Sequence, residues 1–221
     1  MIRIFAGYDE REALGFHVFM KSLIRTSSQP FALTPLTGDP RDGTNAFTYA
    51  RFLVPYLCDF KGTALFVDGS DMLLREDIAE LAALANPQYA VQVVKHDYMT
   101  RHPRKYLGTP MEADNHDYPR KNWSSVVVWN CEHPKHRWME PEALKFAGGQ
   151  FLHRFSWLRD EEIGALPEAW NLLVGEQESA KLAHFTLGIP GFAAYADYPY
   201  AGEWLDIANS PKMEPHGIRL P

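Results

Sequence analysis

Residues 64–74 read Ala64-Leu65-Phe66-Val67-Asp68-Gly69-Ser70-Asp71-Met72-Leu73-Leu74. Four consecutive apolar residues stop at two aspartates that are separated only by a glycine and a serine. An uninterrupted short apolar run is the pattern of a strand buried on both faces. The small residues of the turn let another backbone or a phosphate approach closely. Outward from this stretch the same grammar repeats. Ile2 to Ala6 is an apolar run ending in Gly7-Tyr8-Asp9, and Ala90 to Val94 is another, ending in Lys95-His96-Asp97. Between the runs lie helical patterns. Ala13, Phe16, His17, Met20, Leu23 and Ile24 share one expected helix face, and Asp77 to Leu84 reads as a helix with acidic residues in its opening turns. Strands alternating with helices imply an α/β fold with a mainly parallel central sheet and helices on both faces. Such sheets bind ligands at the carboxyl ends of their strands, where Asp9, Asp68, Asp71 and Asp97 fall.

The remaining segments are read more coarsely. A short strand is expected at Phe31 to Leu36, then a loop through Asp39, Pro40, Asp42 and Gly43, then a helix from Asn45 to Val54 closed by Pro55. Tyr98 to Asn122 shows no periodicity and is expected to be a long loop or a partly helical insertion. Ser124 to Trp129 resumes a buried strand. Trp129 and Trp157 are assigned to the core.

The 221 residues suit one α/β domain, taken as 1–204 with 205–221 as a surface tail. A formal charge of -6 gives no global positive field to hold nucleic acid. Neither a signal-peptide core nor an apolar run long enough to span a bilayer is found, so a cytoplasmic protein is expected. Cys58 and Cys131 lack any metal-knuckle spacing and read as reduced, packed thiols.

Two carboxylates leaving a buried strand on a tight turn suit a hard cation such as Mg²⁺ or Mn²⁺, which prefers oxygen ligands and bridges carboxylates to substrate phosphates. The same aspartates would equally serve to cap a turn. A wider pattern bears on the choice. Tyr49-Ala50-Arg51, the strand leading to Asp68 and Asp71, Leu166-Pro167 with Trp170-Asn171, and His184-Phe185 followed by Gly188 occur in the order found in glycosyltransferase family 8. The sequence resembles that family and related GT-A enzymes of the glycogenin and lipopolysaccharide galactosyltransferase type, over most of the chain.

The resemblance implies a GT-A fold and a metal site at Asp71 and His184, with Asp68 as third member. It implies that Gly7, Tyr8 and Asp9 border a nucleotide and that Arg51 steadies the donor. Ser124 and Ser125 would stand beside the donor sugar, Asp97 would face it, and Gln150 would lie near its reacting face. Gly188 would belong to the donor site. The implied donor is a nucleoside diphosphate sugar, most simply a UDP-sugar, and the acceptor a saccharide or other hydroxyl compound. Transfer would retain anomeric configuration, with front-face attack favoured over a covalent intermediate on Asp97 or Gln150.

Two departures stand out. The family has one residue between its metal-binding aspartates, whereas two separate Asp68 from Asp71, so Asp68 would act through water or by orienting its neighbour. The family's Lys-Pro-Trp after the glycine is replaced by Ile189-Pro190-Gly191-Phe192. Arg51 and the basic residues Lys95, Arg101, Arg104, Lys105, Arg120 and Lys121 are candidates for the missing phosphate contact. Two other functions fit the same sheet: a nucleotidyltransferase that makes the nucleotide sugar, and a non-catalytic nucleotide-sugar-binding module. The first calls for a Gly-rich basic loop after the first strand, of which Gly7-Tyr8-Asp9-Glu10-Arg11 is a poor version.

Overall fold

The computed structural model describes residues 1–38, 45–175 and 179–210. The chain starts with β1 (Ile2–Gly7), α1 (Ala13–Thr26) and β2 (Phe31–Leu36). It continues through α2 (Val54–Leu57), β3 (Thr63–Val67), β4 (Met72–Leu74), α3 (Ile78–Ala83) and β5 (Val91–Val93). A short hairpin, β6 (Arg104–Lys105) and β7 (Ala113–Asp114), precedes β8 (Val126–Asn130). Next come α4 (Pro141–Phe146), α5 (Gly149–His153) and β9 (Ile163–Ala165). Last are β10 (Leu172–Leu173), β11 (Leu182–His184) and α6 (Ala201–Asn209).

The central sheet has the order β2-β1-β3-β8-β5-β9. Strands β1, β2, β3, β5 and β9 run in one direction and β8 opposes them. The sheet is therefore mostly parallel, and the start of β8 lies at the edge where the other strands end. Period-two alternation sends neighbouring side chains to opposite faces. Phe5, Ala64, Phe66 and Trp129 join a core on one side, and Ile4, Ala6, Leu65 and Val67 a core on the other. With both faces covered, the runs read as continuously apolar. Fully burying such side chains contributes roughly 1.5–3 kcal/mol each. Trp129 is fully buried and Trp157 packs against the same cluster, as expected. A second sheet, β10-β11-β4, continues from the Asp68–Asp71 turn and is covered by Trp204 and Ile207 of α6.

Several expectations are corrected. On α1 the buried residues are Gly15, Val18, Phe19, Ser22 and Leu23, while Ala13, His17 and Ile24 face solvent. The helix is turned so that its small residues meet the backbone: a Cβ on Gly15 would lie 1.9 Å from the Ser70 carbonyl oxygen, and Ser22 Oγ accepts from the Leu74 N–H at 3.2 Å. The helix expected over Asn45–Val54 is instead a turn and a 3-10 segment at Ala50–Leu53. The α-helix starts at Val54 with Pro55 in its first turn, where a fixed φ and a missing N–H do no harm. The 98–122 insertion is built on the β6–β7 hairpin, and no α-helix forms in it. Ser124 and Ser125 belong to a 3-10 turn that feeds β8.

The boundary drawn after Trp204 falls inside α6, whose Ile207 is buried. The loop expected at Asp39, Pro40, Asp42 and Gly43, and the chain beyond 210, lie outside the described residues. Cys58 and Cys131 are buried free thiols, and the neighbouring Cys131 thiol holds the Cys58 thiol down to about 7. Among the described residues no helix is long and apolar enough to cross a membrane.

Candidate functional site

The Asp68–Asp71 turn is shaped by its contacts with the end of β1. Gly69 has φ +75, and a Cβ there would lie 2.9 Å from the Gly7 carbonyl oxygen, so both conformation and space call for glycine. Ser70 Oγ donates to the Gly7 carbonyl at 3.2 Å and accepts from the Asp9 N–H at 3.4 Å. The turn leads at once into β4, which pairs antiparallel with β11 so that His184 stands opposite Met72. The Phe185 N–H donates to the Asp71 carbonyl at 2.8 Å. This register sets the His184 imidazole beside both aspartates. Nε2 lies 3.2 Å from Asp71 Oδ2 and 3.9 Å from Asp68 Oδ2. One ligand atom from each of the three residues falls within 4.8 Å of the others, and all three residues are buried.

The orientation of His184 is fixed from behind. Asn171 Nδ2 donates to the Asn122 carbonyl at 3.1 Å, which leaves its Oδ1 to accept from His184 Nδ1 at 2.9 Å. With Nδ1 carrying the proton, Nε2 is the nitrogen offered to the carboxylates, the usual arrangement for a metal-binding histidine. Burial alone would lower the His184 pKa, but Asp71 and Asp68 outweigh it and raise it. Asp68 is raised to about 6, first by burial and further by Asp71, against the opposing pull of Arg51 and His184.

Arg51 is buried between Phe47 and Phe66, with its guanidinium carbon 5.2 and 5.1 Å from the two ring centroids. Its Nη1 sits 2.7 Å from Asp68 Oδ1 and donates to the Ser124 carbonyl at 2.9 Å, while Nε donates to the Thr48 carbonyl at 3.1 Å. The Arg51–Asp68 contact is an ion pair without well-directed hydrogen-bond geometry, so Asp68 Oδ1 keeps an open acceptor direction. Asp71 Oδ1 is also buried with no hydrogen-bond partner. Buried carboxylate oxygens left in this state are costly unless something else binds them. Two carboxylates and one inward imidazole nitrogen fit a divalent cation that accepts oxygen and nitrogen ligands.

A cavity of about 640 Å³ opens over the cluster and is lined by Arg51, Asp68, Asp71, Ser124, Ser125, Gln150 and His184. With Lys105 and Lys121, also in the lining, the structure thus brings together nine of the residues singled out in the sequence. Gly7, Tyr8, Asp9, Asp97 and Gly188 are not in that lining. Gly7 backs onto the Phe47 ring, which a Cβ would meet at 2.3 Å. Tyr8 packs edge-on against Phe16 with centroids 5.2 Å apart. Asp9 is buried and receives Arg11 Nε, Arg11 Nη2 and the Ala46 N–H at 2.8, 2.6 and 3.0 Å. Burial would raise its pKa, but these bonds prevail and lower it. Gly188 lies under the Tyr195 ring, with a Cβ position 2.2 Å from it. Asp97 is exposed, one residue before Tyr98, which does line the cavity.

Asn171 is a positioning residue that the sequence reading quoted within a motif without giving it a role. Its signal was the need of any buried ligand histidine for a second partner. His153, also in the lining, is held to Ser124 Oγ at 2.7 Å and lowered to about 3 by burial and by Arg51.

Superposition on solved structures defines the class: the fold is the GT-A fold. The bifunctional glycosyltransferase WbbM in its apo form aligns with a TM-score of 0.67 at 14% identity, over 95% of this chain and 50% of that one. The chain therefore spans about half the length of WbbM. The galactosyltransferase LgtC, solved with donor and acceptor sugar analogues, aligns with a TM-score of 0.62 at 12% identity, over 97% of this chain and 98% of that one. GlyE of Streptococcus pneumoniae TIGR4 aligns with a TM-score of 0.59 at 13% identity, over 95% and 60%. No protein-family model matches the chain. Protein CDI of Arabidopsis thaliana is 40% identical over 224 residues, covering 92% of this chain and 85% of that protein. The chain belongs to the family of Protein CDI.

Proposed function

We propose that this chain is a metal-dependent glycosyltransferase of the family 8 type, moving a sugar from a UDP-sugar to a hydroxyl acceptor with retention at the anomeric carbon. The observation that carries this reading is the buried Asp68, Asp71 and His184 cluster opening on a 640 Å³ cavity at the strand ends of a GT-A fold. Mn²⁺ or Mg²⁺ on these residues would supply electrostatic stabilisation to a departing diphosphate. Asn171 holds His184 in the ligating tautomer. Arg51 takes up one oxygen of Asp68 and leaves Oδ2 facing the cluster. Ser124 and Ser125, in the cavity lining, stand beside the sugar, while Gly7, Tyr8, Asp9 and Gly188, assigned to the donor site by the family resemblance, lie outside that lining. Gln150, exposed at the start of α5 and in the cavity lining, presents an amide dipole to the reacting face. An amide is a poor nucleophile, which favours front-face attack over a covalent intermediate.

The test is product analysis with a panel of UDP-sugars, Mn²⁺ and hydroxyl acceptors. Free UDP and a glycosylated product of retained configuration are expected, and both should disappear in Asp71→Asn. Pyrophosphate as product would instead identify a nucleotidyltransferase. Tight nucleotide-sugar binding without any product would identify a binding module.

A further inference from the structure

We propose that His153, held by Ser124, recognises a hydroxyl group of the transferred sugar and so determines which nucleotide sugar the cavity accepts; this rests on the reading of the cavity as a donor site. Ser124 Oγ lies 2.7 Å from His153 Nδ1, and both residues line the cavity. Arg51 ties the pair to the metal cluster. Its Nη1 lies 2.7 Å from Asp68 Oδ1 and donates to the Ser124 carbonyl at 2.9 Å. The Asp68 N–H in turn donates to the Ser125 carbonyl at 2.9 Å. In a nucleotide sugar the sugar is bonded directly to the diphosphate, so a diphosphate bound at the cluster sets its sugar beside such neighbouring groups.

The imidazole is fixed on three sides. Nδ1 is taken by Ser124, the Phe52 ring stands nearly perpendicular with its centroid 5.1 Å away, and Cδ2 lies 4.0 Å from where a Cβ on Gly149 would sit. Among the described residues Nε2 has no hydrogen-bond partner, and it is not one of the polar atoms sealed from solvent. In a half-buried ring that lines the cavity, Nε2 is the atom left to a ligand. Burial, and then Arg51, keep the ring uncharged at neutral pH, with the pKa lowered to about 3. A neutral ring nitrogen, donor or acceptor according to tautomer, suits a sugar hydroxyl, which can do both.

The cavity thereby divides its work. Gln150 lies three residues before His153 on α5, on the same helix face, and also lines the cavity. With Ser124 and Ser125 these side chains make an uncharged polar wall beside the charged cluster of Asp68, Asp71 and His184. A ligand that covers His153 strips water from Nε2. A hydroxyl in the right place replaces that bond, whereas a sugar lacking it leaves the nitrogen unpaired and is rejected. Ser124 is the positioning residue of the pair: it holds the ring, so that Nε2 is presented without being ordered on binding.

The experiment measures binding of UDP, UDP-glucose, UDP-galactose, UDP-N-acetylglucosamine and UDP-xylose in Mn²⁺ buffer by equilibrium dialysis, with thermal melts as a check on folding. His153→Phe keeps a ring of similar shape without its nitrogens, His153→Asn keeps a polar group near the Nδ1 position, and His153→Gln reaches to the Nε2 position. Loss of one uncharged hydrogen bond corresponds to a drop of about 2- to 10-fold in affinity. In His153→Phe the best-bound UDP-sugar is expected to weaken by that factor and the spread among the four sugars to shrink, with UDP unchanged. His153→Gln should recover most of the loss and His153→Asn little of it. UDP-sugar affinities within twofold of wild type in His153→Phe, a loss of UDP as large as that of the sugars, or equal wild-type affinity for all four sugars overturns the inference while leaving the donor site standing. If His153→Phe does not fold, His153→Asn is read by the same criteria. Failure of the wild type to bind UDP overturns the donor-site reading and this inference with it.

Discussion

Replacing Arg51 by methionine leaves Asp68 as a buried carboxylate without its counter-charge. The two side chains are 7% and 9% exposed and 2.7 Å apart, so solvent does little to screen the loss. The Ser124 and Thr48 carbonyls lose their guanidinium donors as well. Breaking a buried ion pair by removing one partner costs about 3–5 kcal/mol, and at this chain length about 4 kcal/mol corresponds to roughly 8–16 °C in Tm. The assay is urea denaturation in EDTA, so that no cation substitutes for the guanidinium. The decisive comparison is a double-mutant cycle. Asp68→Asn removes the stranded charge, so Arg51→Met combined with Asp68→Asn should recover about 2–3 kcal/mol of the single-mutant loss. A loss below about 1 kcal/mol for Arg51→Met, or no recovery in the double mutant, would refute the reasoning.

Three further outcomes follow from other contacts. Gly15→Ala drives a Cβ to 1.9 Å from the Ser70 carbonyl and should cost about 3 kcal/mol or more in denaturation experiments; a neutral effect would mean that α1 slides freely over the Asp68–Asp71 turn. Asn171→Ala releases the bond to His184 Nδ1 and should weaken Mn²⁺ binding, measured by electron paramagnetic resonance, by about 10- to 100-fold with the fold intact. His136 is lowered to about 4, chiefly by burial, with a bond to the Ala90 carbonyl opposing. Its neutral form is favoured in the fold, so its contribution is complete above the unfolded pKa near 6.5 and is lost as pH falls through 4. The loss is on the order of 3 kcal/mol. Acid denaturation of His136→Gln should be shallower than that of the wild type over that window.

The legible part of this protein was the part written in contiguous pattern. The apolar runs ending at Gly7, Val67 and Val93 are strands whose ends define one sheet edge, and a buried turn of small residues between two aspartates marks where backbone and ligand come close. His184 could be picked out only through a motif, because its partner Asp71 is 113 residues away and the β4–β11 register that joins them is tertiary. Helix faces were harder. On α1 the expected face of Ala13, Phe16, His17, Met20, Leu23 and Ile24 is turned so that Ala13, His17 and Ile24 meet solvent, because of the close backbone contact of Gly15, which periodicity does not weigh. The reversal of β8 left no local trace, since a strand buried on both faces reads alike in either direction. The role of Asn171 was hidden for the same reason as the His184 register: its meaning lies in what β11 brings beside it.

The most direct test of the central claim is calorimetric titration of UDP into the protein with Mn²⁺, repeated with EDTA, in Asp71→Ala and in His184→Ala. The account predicts binding with Mn²⁺ that vanishes in EDTA and in both variants. Binding of equal strength under all of these conditions, or no binding by the wild type, would contradict it.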